Sequence, residues 1–280
     1  MAIRTIIIGT IFMLVASCRY DLDVTGVVYT PVAVNERFEM SAQWNSDNPE
    51  RALTVTTDGY TLIVGSDSHV GGTVNLQRTF QIAEQEGAVA LAIAGDVTTG
   101  REEDYEVMAM ELVAAGDMPV CVVPGNHDLY FEGWPHFFEI FGASSYTFKV
   151  NTSDSSDLYI FLDTGGGTLG TSQLVWLQQL LEEERDSHRY TTVITHVNFF
   201  RNRFTTSTNI LNEELLLLLD LFDRHNVNIV IQGHDHKRYE KKFRTTTYIT
   251  LDAIRDDNDD ASILQLEAGS EGIVYRFIEL

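Results

Sequence analysis

The chain has 280 residues, of which 44% are hydrophobic and 21% charged, a composition typical of a globular protein. Disorder, collagen and a continuous coiled coil are therefore excluded as descriptions of the whole chain. The 41 acidic residues outnumber the 19 basic ones and give a formal net charge of −22, so we expect no long nucleic acid as a partner. The two cysteines, Cys18 and Cys121, lie far apart, which argues against a disulfide framework.

The N-terminal stretch has the features of a secretory signal. Residues 1–17 carry one positive charge, Arg4, followed by an apolar run too short to cross a bilayer as a helix. The segment Val15-Ala16-Ser17-Cys18 resembles a bacterial lipobox, in which the cysteine is acylated and begins the mature chain. We therefore expect a bacterial protein that is secreted across the inner membrane and becomes a periplasmic or outer-surface lipoprotein, anchored to a membrane through Cys18. A plain signal peptide with an unrelated cysteine is the alternative.

The rest of the chain divides near residue 60. Residues 18–59 are rich in Asp, Asn, Thr and Ser, with scattered apolar residues, which predicts a tether with loosely attached strand-like pieces. From Tyr60 onward, short β-branched runs alternate with helical patterns. This alternation predicts a layered α/β domain over residues 60–280.

The predicted elements of this domain follow one another closely. Buried strands are predicted over 61–65, 89–94, 120–123, 158–162, 192–195 and 227–231. Helices are predicted around Leu76 to Ala83, over residues 212–223, and after Ser172, the last with a buried face of Val175, Trp176, Leu180 and Leu181. The tail segments 246–251, 262–266 and 272–278 predict successive strands, which suggests a second, antiparallel-rich sheet packed on the first.

Residue types that bind metals follow five of these predicted strands. Because α/β proteins place their sites beyond the C-terminal ends of strands, we expect the side chains to converge. Each cluster alone has an ordinary explanation, such as a helix cap, a turn or a core histidine, but their joint occurrence favours a site. The clusters are Asp67-Ser68-His69, Gly95-Asp96, Gly125-Asn126-His127-Asp128, His196 and Gly233-His234-Asp235-His236.

In this order, the motifs resemble the signature of the calcineurin-like metallophosphoesterases: D-x-H, G-D, G-N-H-D/E, H and G-H-x-H. The resemblance covers about residues 60–280 and implies a four-layer α-β-β-α sandwich of two mixed β-sheets, with a dinuclear metal site at the C-terminal ends of strands. It implies two metal sites that share one bridging carboxylate. The ligands would be Asp67, His69 and His236 for one ion, Asn126, His196 and His234 for the other, and Asp96 as the bridge.

The same resemblance implies a metal-dependent phosphoester hydrolase, either a phosphomonoesterase or a small-molecule phosphodiesterase, that uses a bridging hydroxide. Nitrogen and oxygen ligands without thiolate suit Mn, Fe, Zn, Ni or Co, so the identity of the two divalent or trivalent ions stays open. His127 resembles the family's catalytic histidine, which protonates the leaving oxygen or orients the substrate. Asp128 beside it is the candidate orienting carboxylate.

Two alternatives remain for the function. One is a surface lipoprotein that keeps the fold and binds metal without turnover. The other is a nuclease-type phosphodiesterase of the same fold, although the negative net charge and the absence of a basic stripe in the sequence argue against long nucleic acids as substrates.

Basic and aromatic residues near the motifs are further candidates. Arg201 and Arg203 lie in the loop after the single-histidine motif, where they would bind a phosphoester or belong to a solvated basic loop. Tyr130, Phe131 and Trp134 would form an apolar wall beside the metals or belong to the core.

Overall fold

A computed structural model of the protein describes residues 30–49, 51–201 and 208–280. The expected signal (1–17), the expected lipid site Cys18 and the candidate Arg203 lie outside these ranges, so those expectations stay predictions. Among the described residues, no helix is long and apolar enough to cross a membrane. The elements are α1 (Val34–Asp47), β1 (Ala52–Thr54), β2 (Tyr60–Gly65), α2 (Val74–Gln85), β3 (Ala90–Ala94), α3 (Glu102–Ala114), β4 (Val120–Val123), a 3₁₀ helix (His127–Glu132), α4 (Trp134–Phe141), β5 (Tyr146–Asn151), β6 (Ser156–Phe161), α5 (Gly170–Glu184), a second 3₁₀ helix (Arg185–Ser187), β7 (Thr191–Ile194), α6 (Asn212–Arg224), β8 (Ile229–Gln232), β9 (Tyr239–Phe243), β10 (Thr246–Thr250), β11 (Ser262–Gly269) and β12 (Gly272–Glu279).

The strands form two mixed sheets that pack face to face. One sheet has five strands in the order β12-β11-β2-β3-β4, and the other has seven in the order β1-β5-β6-β7-β8-β10-β9. The central core lies between them, and a further apolar layer on the outer face of each sheet is covered by helices. The predicted four-layer α-β-β-α sandwich is confirmed.

Strand β2 shows why the central strands read as unbroken apolar runs. Leu62 and Val64 face the core between the sheets, whereas Ile63 faces the outer layer under the helices. Both faces of the strand are therefore buried, so an alternating polar pattern is absent, as expected for parallel strands covered on both sides.

Parallel pairing places the strand ends that carry the motifs. In the five-stranded sheet β2, β3 and β4 run parallel, and in the seven-stranded sheet β6, β7 and β8 do so. Their C-terminal ends therefore lie along one edge of each sheet, and the face-to-face packing of the sheets brings the two edges together.

The tail strands do not form a sheet of their own, so that expectation was wrong. Strand β10 pairs with β8 in the seven-stranded sheet, whereas β11 pairs with β2 in the five-stranded one. Strand pairing over such separations depends on tertiary contacts that a local pattern does not contain. Helix α5 also differs from the expectation: it begins at Gly170, and Leu177 is buried in place of Val175, which is exposed.

Residues 30–59, expected as part of the tether, are folded onto the domain in their described part. Helix α1 packs against α5, with the rings of Phe38 and Trp176 5.7 Å apart. The Arg37 guanidinium is buried in an ion pair with Asp163. Strand β1 extends the seven-stranded sheet by parallel pairing with β5. The expectation missed this packing because the buried residues of α1, Arg37 and Ser41, are polar and leave no apolar periodicity in the sequence.

Candidate metal centre

The candidate ligands all follow the C-terminal ends of parallel strands. Asp67 and His69 come after β2, Asp96 after β3 and Asn126 after β4. From the opposite sheet, His196 follows β7, and His234 and His236 follow β8. The structure thus brings together the residues that the motifs predicted from five separate parts of the chain.

The first group consists of Asp67, His69, Asp96 and His236, whose ligand atoms all lie within 4.8 Å of one another. The Nε2 atoms of His69 and His236 are 3.2 Å apart. His236 Nε2 is also 3.2 Å from Asp67 Oδ1. Two ligand atoms that each lie about 2.1 Å from one ion are separated by about 3.0 to 3.5 Å, so this spacing fits a single metal ion.

The second group consists of Asp96, His196 and His234. His196 Nε2 lies 3.1 Å from His234 Nδ1 and 3.3 Å from Asp96 Oδ2. Beside this group, Asn126 Oδ1 is buried and has no hydrogen-bond partner within the described ranges. An unpaired buried amide oxygen is costly unless something binds it, and a metal ion is a chemically suitable partner.

Asp96 belongs to both groups through one oxygen atom. Its Oδ2 lies 3.7 Å from His69 Nε2 and 3.3 Å from His196 Nε2. Its Oδ1 accepts a hydrogen bond of 2.7 Å from the backbone N–H of His127. This is the arrangement expected of a bridging carboxylate whose orientation is fixed by the backbone.

Neighbouring groups orient the candidate ligands. The carbonyl oxygen of Ala94 lies 2.8 Å from His196 Nδ1. Because a carbonyl only accepts, Nδ1 carries the proton and Nε2 is left for a metal. Ser66 Oγ donates to Asp67 Oδ2 at 2.5 Å, which leaves Asp67 Oδ1 to face the first group. The sequence analysis missed Ser66, although a hydroxyl directly before a ligand carboxylate is a usable signal.

The backbone of these loops is strained. Five candidate ligands have left-handed φ angles, a region that costs a residue other than glycine on the order of 1–3 kcal/mol. The flanking strands hold the loops in this conformation. The residues and their φ angles are Asp67 (56°), His69 (43°), Asp96 (51°), His234 (74°) and His236 (56°).

Gly95 is required by close packing of the two sheets. Its φ is +85°, and a Cβ atom there would lie 2.6 Å from His196 Nδ1 and 2.8 Å from the backbone nitrogen of Gly125. No side chain fits, because three ligand loops approach one another at this point. Gly95 is therefore needed for the close approach of the loops that carry the candidate ligands.

Burial and charge divide the histidines into two protonation classes. Burial lowers the pKa of His69 to about 4 and, with the neighbouring His196, that of His234 to about 3. For His196, burial also acts to lower the pKa, but Asp96, Asp67 and the carbonyl of Ala94 together outweigh it and raise the pKa to about 9. Burial opposes ionisation of Asp96 as well, but His196 holds the pKa of Asp96 below its usual value. Since imidazole binds metal in its neutral form, His196 must lose a proton when a metal binds.

His127 lies at the edge of the first group. Its ring centroid is 4.6 Å from that of His69 and 4.7 Å from that of Tyr130. Burial lowers the pKa of His127 below its ordinary value. Within the described ranges, no hydrogen bond to its ring nitrogens is found, and the residue is half-buried.

The carboxylate of Asp128 is held within the fold, and its expected orienting role stays a prediction. Its fully buried carboxylate accepts hydrogen bonds from the backbone N–H groups of Gly125 (2.8 Å), Thr98 (2.8 Å) and Val97 (3.2 Å). Among the described contacts, none joins it to the ring of His127. The side chain of Asp128 points instead into the fold and ties the loop after β4 to the loop after β3, so it supports the ligands Asp96 and Asn126.

Arg201 braces the loop of the last motif. Its Nε lies 3.0 Å from Asp235 Oδ1, and its Nη1 donates to the carbonyl of Thr208 at 2.9 Å. Asp235 stands between the ligands His234 and His236. The guanidinium therefore holds the ligand loop, and a direct contact with substrate stays a prediction.

The three aromatic residues after the Asn-His motif separate in the structure. Trp134 is fully buried in the layer under the helices, so it belongs to the core, which was one of the two alternatives for these residues. Phe131 is 37% exposed. Tyr130 alone lies beside the site, where its hydroxyl accepts a 2.8 Å hydrogen bond from Asn126 Nδ2.

The chain is similar to known phosphoesterases. It is 25% identical over 125 residues to a probable cyclic nucleotide phosphodiesterase from Fibrobacter succinogenes, which covers 41% of this chain and 47% of that protein. It is also 25% identical over 174 residues to the glycerophosphodiester phosphodiesterase GpdQ of Enterobacter lignolyticus, which covers 59% of this chain and 62% of that protein. The chain thus spans about half to three-fifths of the length of these curated relatives.

The fold recurs in solved structures. A dimetal phosphatase from Danio rerio superposes with a TM-score of 0.58 at 14% identity and covers 79% of this chain and 98% of that one. At such low identity the likeness shows the fold alone. The family model for calcineurin-like phosphoesterases matches residues 60–238, a range that includes both ligand groups and Asn126. The chain therefore belongs to the calcineurin-like phosphoesterase family.

Proposed function

We propose that the protein hydrolyses small phosphoesters, with phosphodiesters as the first candidates, at a centre of two metal ions. The observation that carries the proposal is the pair of ligand groups that share Asp96. Each group has the residue types and spacing for one ion, and a shared carboxylate oxygen is what two neighbouring cations require. The proposed ligands are Asp67, His69, Asp96, Asn126, His196, His234 and His236, with the metals drawn from Mn, Fe, Zn, Ni and Co.

Two bound ions would polarise the phosphoryl oxygens and lower the pKa of a water molecule that could attack phosphorus. The ligand set contains two carboxylates and otherwise neutral side chains, so about two positive charges of two divalent ions remain uncompensated. This local charge attracts an anionic phosphate even though the formal net charge of the protein is −22. His127 is proposed to protonate the leaving oxygen, because its ring stands beside His69 at the edge of the centre.

Two relatives support a diester substrate. One is a probable cyclic nucleotide phosphodiesterase, and the other is a glycerophosphodiester phosphodiesterase. The full set of candidate ligands supports turnover over the alternative of a lipoprotein that only binds metal. The charge argument continues to disfavour the alternative of a nuclease for long nucleic acids.

The proposal is tested with the purified protein loaded with each of the five metals in turn. The substrates are bis(4-nitrophenyl) phosphate, 4-nitrophenyl phosphate, cyclic AMP and a glycerophosphodiester. We expect turnover of at least one diester and two ions per chain by elemental analysis. Asp96→Asn should lose both ions and the activity, whereas Asp154→Asn, at an exposed position, should keep them. A protein that binds two ions and cleaves none of these esters would contradict the proposal.

A further inference from the structure

A cavity of about 530 Å³ opens beside the metal ligands, on the side of Asn126. Asn126 is common to the cavity and the candidate metal centre, since its unpaired, buried Oδ1 is one of the proposed ligand atoms. Tyr130 also lines the cavity, and its ring centroid lies 4.7 Å from that of His127. A phosphoester held at the metals would therefore have one of its substituents directed along Tyr130 into the cavity. The volume is within the range of small-molecule sites.

The described lining offers apolar surface and no unpaired charge. Val32, Val34 and Leu129 supply apolar walls. The one charged side chain in the described lining is Arg37, and it is neutralised by Asp163, to which its Nε and Nη2 donate at 2.8 and 3.2 Å. Both partners are almost fully buried. Such a lining favours an uncharged group over a second anion or a cation, because a charge there would lose its hydration without gaining a partner.

One wall of the cavity comes from outside the range of the family match. Thr30 to Arg37 contribute to the lining, whereas the match begins at residue 60. Polar contacts fix this wall: Arg37 Nη1 donates to the carbonyl of Val32 at 3.0 Å, and Asn35 Oδ1 accepts from the backbone N–H of Ser172 at 3.1 Å. The segment before the family domain thus shapes the space next to the metals.

We infer that this cavity binds an uncharged, largely apolar organic group of the substrate, up to the size of a nucleoside or an aryl alcohol, and that residues 30–37 determine this preference. Arg37 acts as a positioning residue that holds the wall in place. The inference rests on the proposed function, since it places the phosphate at the metals. It predicts esters of bulky uncharged alcohols as better substrates than esters of glycerol.

Phosphonates test the inference without turnover. Methylphosphonate and phenylphosphonate carry the same anionic group, and they differ only in the substituent that would enter the cavity. Their Kd values are measured by calorimetry on the protein loaded with two metal ions. From the apolar area of a phenyl ring, we expect phenylphosphonate to bind roughly 10- to 30-fold more tightly than methylphosphonate. Aminoethylphosphonate, with a charged substituent, should show no such gain.

Two variants narrow the cavity at different lining positions. Val34→Phe adds bulk on the N-terminal wall, and Gly166→Leu adds it beside Arg37, where a Cβ atom would meet only Arg37 Nη2 at 3.5 Å. Each should reduce the preference for phenylphosphonate about 10-fold and change the Kd of methylphosphonate less than about twofold. Val113→Phe, at a position 82% exposed on α3, is the matched control and should change neither Kd.

The outcomes separate the inference from the proposed function. The inference would be overturned if the cavity variants lost affinity equally for both phosphonates. It would also be overturned if both variants unfolded thermally like the wild type and kept its preference for phenylphosphonate. Tighter binding of aminoethylphosphonate than of phenylphosphonate would contradict the inference that the cavity prefers an uncharged group. If the wild-type protein cleaves no ester in the substrate panel, the proposed function fails, yet the ratio of phosphonate Kd values still reports on the cavity.

Discussion

At the scale of single residues, adjacent positions in the motif 125–128 have different tasks. Asn126 has a buried Oδ1 without a hydrogen-bond partner in the described ranges, and the ring of His127 stands beside His69 of the first group. Asp128 turns the opposite way and ties two loops together. We therefore propose that these consecutive residues serve metal binding, proton transfer and support respectively, and each assignment can be tested by one substitution.

His127→Ala should separate proton transfer from metal binding. We expect both ions to be retained and kcat to fall by roughly 10² to 10⁴-fold for an alkyl phosphoester, whose leaving oxygen needs a proton. A 4-nitrophenyl ester should lose much less, since nitrophenolate leaves without protonation. Steady-state kinetics with elemental analysis measure this. An equal loss for both esters with both ions in place would instead assign His127 to substrate orientation.

Asp128→Asn should act on stability. The introduced NH₂ group would face backbone N–H donors of Gly125 and Thr98 that the carboxylate now satisfies. We expect the free energy of unfolding, measured by urea denaturation of the metal-free protein, to fall by about 2–4 kcal/mol. Exposed Asp154→Asn should change it by less than about 0.5 kcal/mol. If stability is unaffected and only the pH profile of kcat moves, the orienting role for Asp128 is correct after all.

Metal binding should release a proton from His196. In the metal-free protein its pKa of about 9 lies above the ordinary value, so the side chain is protonated at pH 7. We expect release of about one proton from this group on metal binding at pH 7, with release declining as the pH rises past 9. The lowered pKa values of His69 and His234 mean that they add none at neutral pH. Calorimetry in buffers of different ionisation enthalpy measures the count, and pH-independent affinity between pH 7 and 10 would contradict it.

The raised pKa of His196 also makes the stability of the folded protein depend on pH. Because the pKa of His196 is raised in the folded protein, its protonated form contributes stability that is fully present below the unfolded pKa of about 6.5. That contribution is lost as the pH rises through about 9. Metal-free protein should therefore lose this stabilisation on the alkaline side, whereas bound metal replaces the proton.

At the scale of elements, helix α1 shows how a polar segment becomes part of a fold. Its buried residues are Arg37 and Ser41, and Ser41 Oγ bonds to Ser144. Helix α1 brings the cavity wall against the site through these contacts. A helix that is buried through an ion pair and hydroxyl groups depends on its partners far along the chain.

Arg37→Leu should leave the carboxylate of Asp163 buried without its cation. We expect the free energy of unfolding to fall by about 3–5 kcal/mol. Arg224→Leu is the matched control, because its ion pair with Asp220 at 2.8 Å is half exposed and should contribute less than about 1 kcal/mol. Urea denaturation of both variants measures the difference. Equal effects of the two substitutions would show that α1 is not held by this pair.

At the scale of the whole molecule, the formal net charge of −22 should disfavour long nucleic acids relative to small phosphoesters. A small phosphoester experiences mainly the local charge of the metals, whereas a long duplex also meets the acidic surface. We expect no binding of a labelled 30-bp DNA at about 10 µM protein and low salt, measured by fluorescence anisotropy. Tight, salt-dependent binding in this assay would restore the nuclease alternative.

The ligand set was predictable because each ligand lies directly after a buried strand, so residue type and position are both local signals. Asp67, Asp96 and His196 follow runs of apolar residues that read as strands without any tertiary information. Parallel pairing then brings such strand ends to one edge, which explains why five short motifs were enough to predict a single site.

Other parts of the fold were not predicted from the sequence. Strand β9 is mostly exposed on both faces, so it lacks alternation, and β5 alternates but was not recognised as a strand. Helix α5 buries Leu177 in place of Val175 because its face is set by what packs against it. The division of the tail between the two sheets likewise depends on pairing with strands far away in sequence.

The sequence by itself therefore determined the family, the sandwich fold and the candidate metal ligands, since these depend on short motifs and strand ends. The tertiary structure alone revealed the direction of the Asp128 side chain, the bracing of the last motif by Arg201 and the cavity between Val32 and Leu129. These features join segments far apart along the chain. Their energies come from buried polar contacts, which leave no periodic pattern in the residues that form them.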